Sequence, residues 1–154
     1  LACAQNLSSG KNCLVHCSDG WDRTAQICGM TQILLDPYFR TIEGFAVLID
    51  KEYLAYGYQA SLRHGLGLSK EKDDQKAPVL LQFLDAVHQV IHQFPFAFEY
   101  NTKFLRDIYY HSYSCQFGNF LSASSLQMEQ SEIKLKTVSL WSYILSRKGE
   151  YLNE

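Results

Sequence analysis

The sequence predicts an α/β fold in which one strand delivers a loop and the rest is mostly helical. Three observations predict it: a single convincing β-type run at residues 12–16, apolar residues recurring at three and four through several later segments, and a strand, loop, helix order around Cys17. The 154 residues, 47% apolar and 19% charged, suffice for one globular domain with a sizeable core.

The strand reads Asn12-Cys13-Leu14-Val15-His16, follows Gly10 and runs into a Ser-Asp-Gly segment. A lone strand leaves its backbone groups without partners, so the natural domain is expected to begin before Leu1, with this chain as a fragment of it. Residues 24–35 are read as the helix that leaves the loop. After the break at Asp36-Pro37, residues 41–56 place Ile42, Phe45, Ile49, Tyr53 and Tyr56 on one helical face.

A polar stretch from Gly65 to Lys76, rich in Lys, Asp and Gly, reads as a solvated loop. Pro78 then opens a helix with Leu80, Phe83, Leu84, Val87, Ile91 and Phe94 inward, ending before Pro95. Asn101 caps the next, with Phe104, Leu105, Ile108 and Tyr109 inward as core aromatics and aliphatics. His88, His92 and His111 are expected at the surface or at helix interfaces. Thr137-Val138-Ser139-Leu140-Trp141 fits either a strand or a capped helix, and a helix through Ser146 is preferred.

A formal net charge of −2 supplies no basic field, which argues against nucleic acid as a partner and leaves any attraction to phosphate local. Five Cys at irregular spacing read as reduced intracellular thiols, hence a cytoplasmic setting. The apolar stretches end well short of the ~20 residues of a membrane span, so membrane contact is expected to be peripheral.

The chemistry is concentrated in His16-Cys17-Ser18-Asp19-Gly20-Trp21-Asp22-Arg23-Thr24. Phosphoryl transfer through a covalent intermediate needs a low-pKa thiolate, a cradle of N–H groups for the phosphoryl oxygens and a fixed cation. Cys17 at the strand's end meets loop amides and a helix N-terminus, which favour the anion and draw a thiol from ~8.5 to roughly 4–7. Ser18, Asp19, Gly20, Trp21 and Asp22 offer successive N–H groups, with Gly20 free to take positive φ. Arg23 stands where the loop enters the helix, so its planar fork can bind two phosphoryl oxygens. Asp22 is the carboxyl best placed to protonate the leaving oxygen and later to activate water. The bare Cys-to-Arg spacing arises by accident about one time in six with five Cys, so the weight rests on the strand, the Gly, the Thr and the helix around it. A zinc site from Cys13, His16, Cys17 and Cys28 lacks a Cys-x2-Cys pair and places Arg23 in the same turn, so neither metal nor other cofactor is assigned. Trp21 either packs on the scaffold or borders the substrate ring.

The run Val15-His16-Cys17-Ser18-Asp19-Gly20-Trp21-Asp22-Arg23-Thr24-Ala25-Gln26 resembles the signature of the myotubularin lipid phosphatases. Tyr38 to Phe45, Leu81 to Asp85, Phe94 to Asn101, Tyr113 to Cys115 and Thr137 to Tyr143 are similar to further family segments, in order along most of the chain. The resemblance implies the C-terminal portion, residues 1–154, of a protein tyrosine phosphatase-like domain. It implies removal of the D3 phosphate from phosphatidylinositol 3-phosphate and the 3,5-bisphosphate, with Cys17 as nucleophile, Arg23 as phosphate clamp and Asp22 as general acid. It also implies membrane contact through regions outside this chain, on endosomal-type membranes, and homo- or hetero-oligomers with family members. Where the family's lipid enzymes carry two Arg four residues apart for further phosphates, this chain has Gln59 and Arg63. Arg63 and His64 therefore read either as a solvated pair at a helix end or, for Arg63, as a headgroup contact. The Lys70 to Lys76 stretch also departs from the family pattern.

Two rival functions share the loop. One is a protein tyrosine or dual-specificity phosphatase, against which the two loop carboxylates, Asp19 and Asp22, argue. The other is a non-catalytic scaffold of the same family, against which the presence of both Cys17 and Arg23 argues.

Overall fold

The computed structural model describes residues 1–66 and 75–153. Helix α1 (Ala2–Ser8) is followed by a turn and by irregular chain through Cys17, and then by α2 (Arg23–Leu35). The strand expected at residues 12–16 is not paired. Among the described residues the only β contacts are isolated bridges, Tyr56 with Ser124 and Tyr100 with Leu152, and residues 12–16 carry no regular secondary structure.

Asp36 and Pro37 stop α2 and begin a 3₁₀ turn (Pro37–Arg40), with the Asp36 side chain accepting from the Tyr38 N–H at 2.9 Å. Thr41 caps α3 (Ile42–Ile49), accepting from the Gly44 N–H at 3.0 Å. Gly44 is there for proximity: a Cβ on it would lie 1.9 Å from the Tyr38 carbonyl oxygen. The helix expected over residues 41–56 changes pitch at Asp50, continuing as a π-helical segment (Asp50–Ala55). That widening keeps Tyr53 and Leu54 in the core and carries Tyr56, expected to be buried, into solvent.

A short α4 (Ala60–Arg63) precedes the polar stretch; residues 67–74 of the expected loop lie outside the described residues. Next come α5 (Val79–Gln93), α6 (Thr102–Ser114), α7 (Ser125–Gln130), α8 (Ile133–Lys136) and α9 (Leu140–Ser146). Asn101 caps α6 by accepting from the Phe104 N–H, and Ser139 caps α9, so the 137–141 segment is a helix start. Phe94 falls past the end of α5, before Pro95, and is exposed rather than inward.

The core is aromatic. Phe45 stacks with Phe83 at 6.2 Å and meets Tyr100 and Phe104 edge-on at 5.1 and 5.5 Å, pairs that add about 0.5–1.5 kcal/mol each beyond their burial. His111 takes the interface position expected of it: it is buried, edge-on to Phe117 and Tyr143, because the inward face of α6 continues past Ile108 into its last turn. Helices α2 and α5 pack closely at Gly29, where a Cβ would come within 2.9 Å of the Phe83 ring. The Gln26 amide also donates to the Val79 carbonyl at 2.8 Å. These contacts fix the start of α2, and with it the downstream end of the loop.

Candidate active site

The loop between Cys17 and Arg23 turns through Gly20, whose φ of +85° lies in the region that favours glycine. That turn brings the Gly20 N–H back onto the Cys17 sulfur at 3.2 Å, while the Thr24 hydroxyl donates to the same sulfur at 3.3 Å from the first turn of α2. Both donors favour thiolate over thiol. The Thr24 hydroxyl chiefly, with the Gly20, Asp19 and Thr24 amides, brings the Cys17 pKa down to about 7 against an opposing desolvation. Cys17 is half-buried, so the thiolate is reachable.

Arg23 opens α2 and reaches back across the loop, its Nη2 donating to Ser18 Oγ at 3.0 Å. The cation and the residue next to the nucleophile thus meet across the bowl. Asp19 and Gly20 are exposed at the rim.

Asp22 is the N-cap residue of α2 but does not cap it. Its backbone sits at φ −103°, ψ −85°, away from the extended conformation of an ordinary cap, and its side chain accepts from none of the helix N–H groups. The carboxylate turns instead to Arg63, 41 residues on. Arg63 Nη2 donates to Oδ2 at 2.6 Å, and Nε lies 3.2 and 3.1 Å from Oδ1 and Oδ2. Only 13% of the Arg63 side chain and 15% of the Asp22 side chain are exposed, so water screens the pair weakly. The remaining Arg63 nitrogen, Nη1, donates to the Gln75 carbonyl at 2.8 Å, and the guanidinium lies 5.4 Å from the Trp21 ring centre. The Asp22 hydrogen bonds raise the Arg63 pKa further.

Of the residues proposed from sequence, Cys17, Ser18, Gly20 and Arg23 converge on one loop. Trp21 and Asp22 are joined to that loop's flank by Arg63. The solvated-pair reading of Arg63 and His64 does not hold, since Arg63 is engaged by Asp22 and Gln75 and His64 is buried against Tyr113. Gln59 offers no charge, and its amide lies 3.4 Å from the Gly57 carbonyl. Sequence reasoning missed the role of Thr24. A hydroxyl residue one position after the Arg, in the first turn of the helix, is the signal that could have found it.

The Myotubularin-like phosphatase domain model matches residues 1–129 of the chain. The chain is 49% identical over 154 residues to the phosphatidylinositol-3,5-bisphosphate 3-phosphatase MTMR2 of Gallus gallus, covering 99% of this chain and 27% of that protein. It is 47% identical over 145 residues to the phosphatidylinositol-3-phosphate phosphatase MTMR7 of Mus musculus, covering 94% and 22%. With the myotubularin of Xenopus laevis it shares 46% over 151 residues, covering 97% and 25%. The chain thus spans about a quarter of the length of the curated relatives it matches. By the match over most of its length and the loop described above, the chain belongs to the myotubularin-like phosphatase family.

Proposed function

We propose that residues 1–154 form the C-terminal portion of a protein tyrosine phosphatase-like α/β domain. The protein carrying them removes the D3 phosphate of phosphatidylinositol 3-phosphate, the 3,5-bisphosphate, or both, through a phosphocysteine. The observation that carries this reading is the Cys17 thiol, brought to about 7 by donors from the loop and from α2. At neutral pH about half of such a thiol is thiolate. The names of the Gallus gallus and Mus musculus relatives, a phosphatidylinositol-3,5-bisphosphate 3-phosphatase and a phosphatidylinositol-3-phosphate phosphatase, support the lipid over a phosphoprotein.

In this mechanism Cys17 Sγ attacks phosphorus in line, and the loop N–H groups and Arg23 hold the three equatorial oxygens as charge spreads over them. The P–O bond to the inositol breaks and its oxygen takes a proton from Asp22. Because Asp22 accepts from Arg63 in this structure, that contact opens as the headgroup enters, and the carboxylate takes up a proton from water before it donates one. Water then attacks the phosphocysteine, with Asp22 taking its proton, and phosphate leaves. The work is done in the cytoplasm, peripherally on endosomal-type membranes, with bilayer contact and any homo- or hetero-oligomer supplied from outside this chain.

The test uses full-length protein and short-chain phosphatidylinositol 3-phosphate. Cys17→Ser is expected to abolish phosphate release while headgroup binding survives. Undiminished turnover in that variant, or a large preference of the wild type for a phosphotyrosine peptide, would overturn the reading.

A further inference from the structure

A cavity of about 400 Å³ lies where the π-helical segment Asp50–Ala55 faces α7, α8 and the residues leading into α9, a volume within the range of small-molecule sites. Among the described residues that line it are none of the Cys17 to Arg23 loop, and Arg63 is not one of them. Bonding from i to i+5 sets Asp50 and Ala55 one turn apart, and both line the cavity together with Leu54. Gly118 lets the facing walls close in, since a Cβ there would run into Thr137 Oγ1 and the Ile133 side chain. Leu54, Met128, Ile133 and Val138 make the walls apolar. One anion stands among them, and it is held in place. The Asp50 carboxylate accepts from Trp141 Nε1 at 2.7 Å and from the side chain of buried Asn119. Asn119 Oδ1 accepts from the Leu140 N–H at 2.8 Å, which leaves its amide nitrogen as the end that donates to Asp50. A carboxylate offers about four lone-pair positions, so two remain for a ligand. Desolvation pushes the Asp50 pKa up against both donors, as befits an anion without a fixed counter-charge. Lys134, the other charged residue among the described lining, is exposed on a four-carbon stem, and its pull on Asp50 is the weakest of these influences.

We propose that this cavity binds an organic ammonium carried on an apolar body, with the cation on Asp50 and the body against Leu54, Met128, Ile133 and Val138. The inference is independent of the phosphatase reading. Charge selects the ligand, because the anion is fixed and the cation beside it is not. An ammonium gains a charge-assisted hydrogen bond to a partly desolvated carboxylate, an alcohol gains a neutral one, and a carboxylate is repelled. An aromatic body adds a contact with the Met128 sulfur. Lys134 is an internal rival for Asp50 that swings away as the ligand enters.

The experiment titrates the full-length protein with three probes of one shape, phenethylamine, phenethyl alcohol and hydrocinnamate, at neutral pH by ligand-observed NMR into the millimolar range. Phenethylamine, protonated there, is expected to bind about tenfold tighter than the alcohol, with hydrocinnamate weakest. Asp50→Asn keeps the shape and an acceptor for Trp141 but removes the charge, so amine and alcohol converge to within about twofold. Lys134→Met removes the rival and tightens the amine about threefold while the alcohol is unchanged. The inference falls if the wild type binds the alcohol as well as the amine, or if Asp50→Asn leaves the amine's advantage intact. It falls equally if hydrocinnamate binds best, which would make Lys134 the anchor, or if none of the probes binds. Should Asp50→Asn lack a cooperative melt, the three probes on the wild type and on Lys134→Met decide the matter.

Discussion

Leading into Cys17, residues 11–17 have no regular secondary structure and no β partner among the described residues, and leave Leu14 90% exposed. Leading out of Arg23, α2 buries Ala25, Gly29, Thr31 and Ile33 and packs on α5 at Gly29. Between the two limbs lies an open, largely apolar groove of about 700 Å³ that includes Leu1, Leu14, Val15, Ile27, Met30 and Phe83. The difference teaches where the loop's geometry comes from within this chain. The hydroxyl on the sulfur is Thr24 of α2, and the clamp on Asp22 is Arg63 of α4. The helical side aims the site, while the entering segment delivers the nucleophile.

The largest effect expected from this asymmetry is on stability. Phe83→Ala removes a ring that touches Phe45, Tyr53 and the face of Gly29, and is expected to cost about 3–5 kcal/mol by the usual sum of lost transfer energy and cavity. Leu14→Ala removes a side chain already in water and is expected to change stability by less than about 0.5 kcal/mol. Urea midpoints of the two variants check this. Comparable losses would mean that the entering segment carries as much of the fold as α2 does.

A second, smaller effect concerns the thiol. The first cause of the lowered Cys17 pKa is the Thr24 hydroxyl, so Thr24→Val should move the midpoint of iodoacetamide alkylation upward from about 7. A rise of about one unit would slow alkylation at pH 7 roughly fivefold, since the thiolate is the reacting form. The sign is fixed: losing a donor to the anion can only favour the thiol. Leu14→Ala, on the entering side, should leave the midpoint where it is. An unmoved midpoint in Thr24→Val would assign the thiolate to the backbone amides alone.

The same asymmetry decided what could be read from the amino acids. The loop was legible because its chemistry is local: Gly20 for the turn, Arg23 at a helix start, Cys17 before both. The helices α5 and α6 are legible from apolar spacing, and α6 also from its cap Asn101. Residues 12–16 read as a strand because strand-type residues do not reveal whether a neighbour exists to pair with them. The π-helical widening at Asp50 leaves no mark in a pattern of period 3.6, so Tyr56 was placed inside. The pairing of Asp22 with Arg63 spans 41 residues and the helices α2, α3 and α4, and no spacing rule reaches that far. It depends on how α4 docks against the loop, which is a property of the packed core.

The smallest effect tests whether the helical side can also be loosened by pH, and it runs through the residue after Arg63. His64 is buried, stacked on Tyr113 with ring centres 4.1 Å apart, and its Nδ1 lies 3.1 Å from the Ser112 carbonyl oxygen. A carbonyl only accepts, so Nδ1 carries the proton, and Nε2 is left buried with no partner among the described residues. Protonating Nε2 places a charge where no acceptor awaits it, and burial accordingly pushes the His64 pKa below 6.5. In the unfolded chain the same imidazole binds its proton near pH 6.5, so below that pH the unfolded state holds more protons than the folded one. Stability attributable to His64 is therefore fully present above about pH 6.5, falls as pH drops toward the folded pKa, and levels off beneath it. His111, likewise buried and lowered, adds a drop of the same sign. His64→Gln keeps a donor for the Ser112 carbonyl and removes the titration. Its urea midpoint should fall less than that of the wild type between pH 7 and pH 5, although it starts lower. Parallel falls in the two proteins would show that acid acts elsewhere, and that the helical side of the site is not coupled to pH through His64.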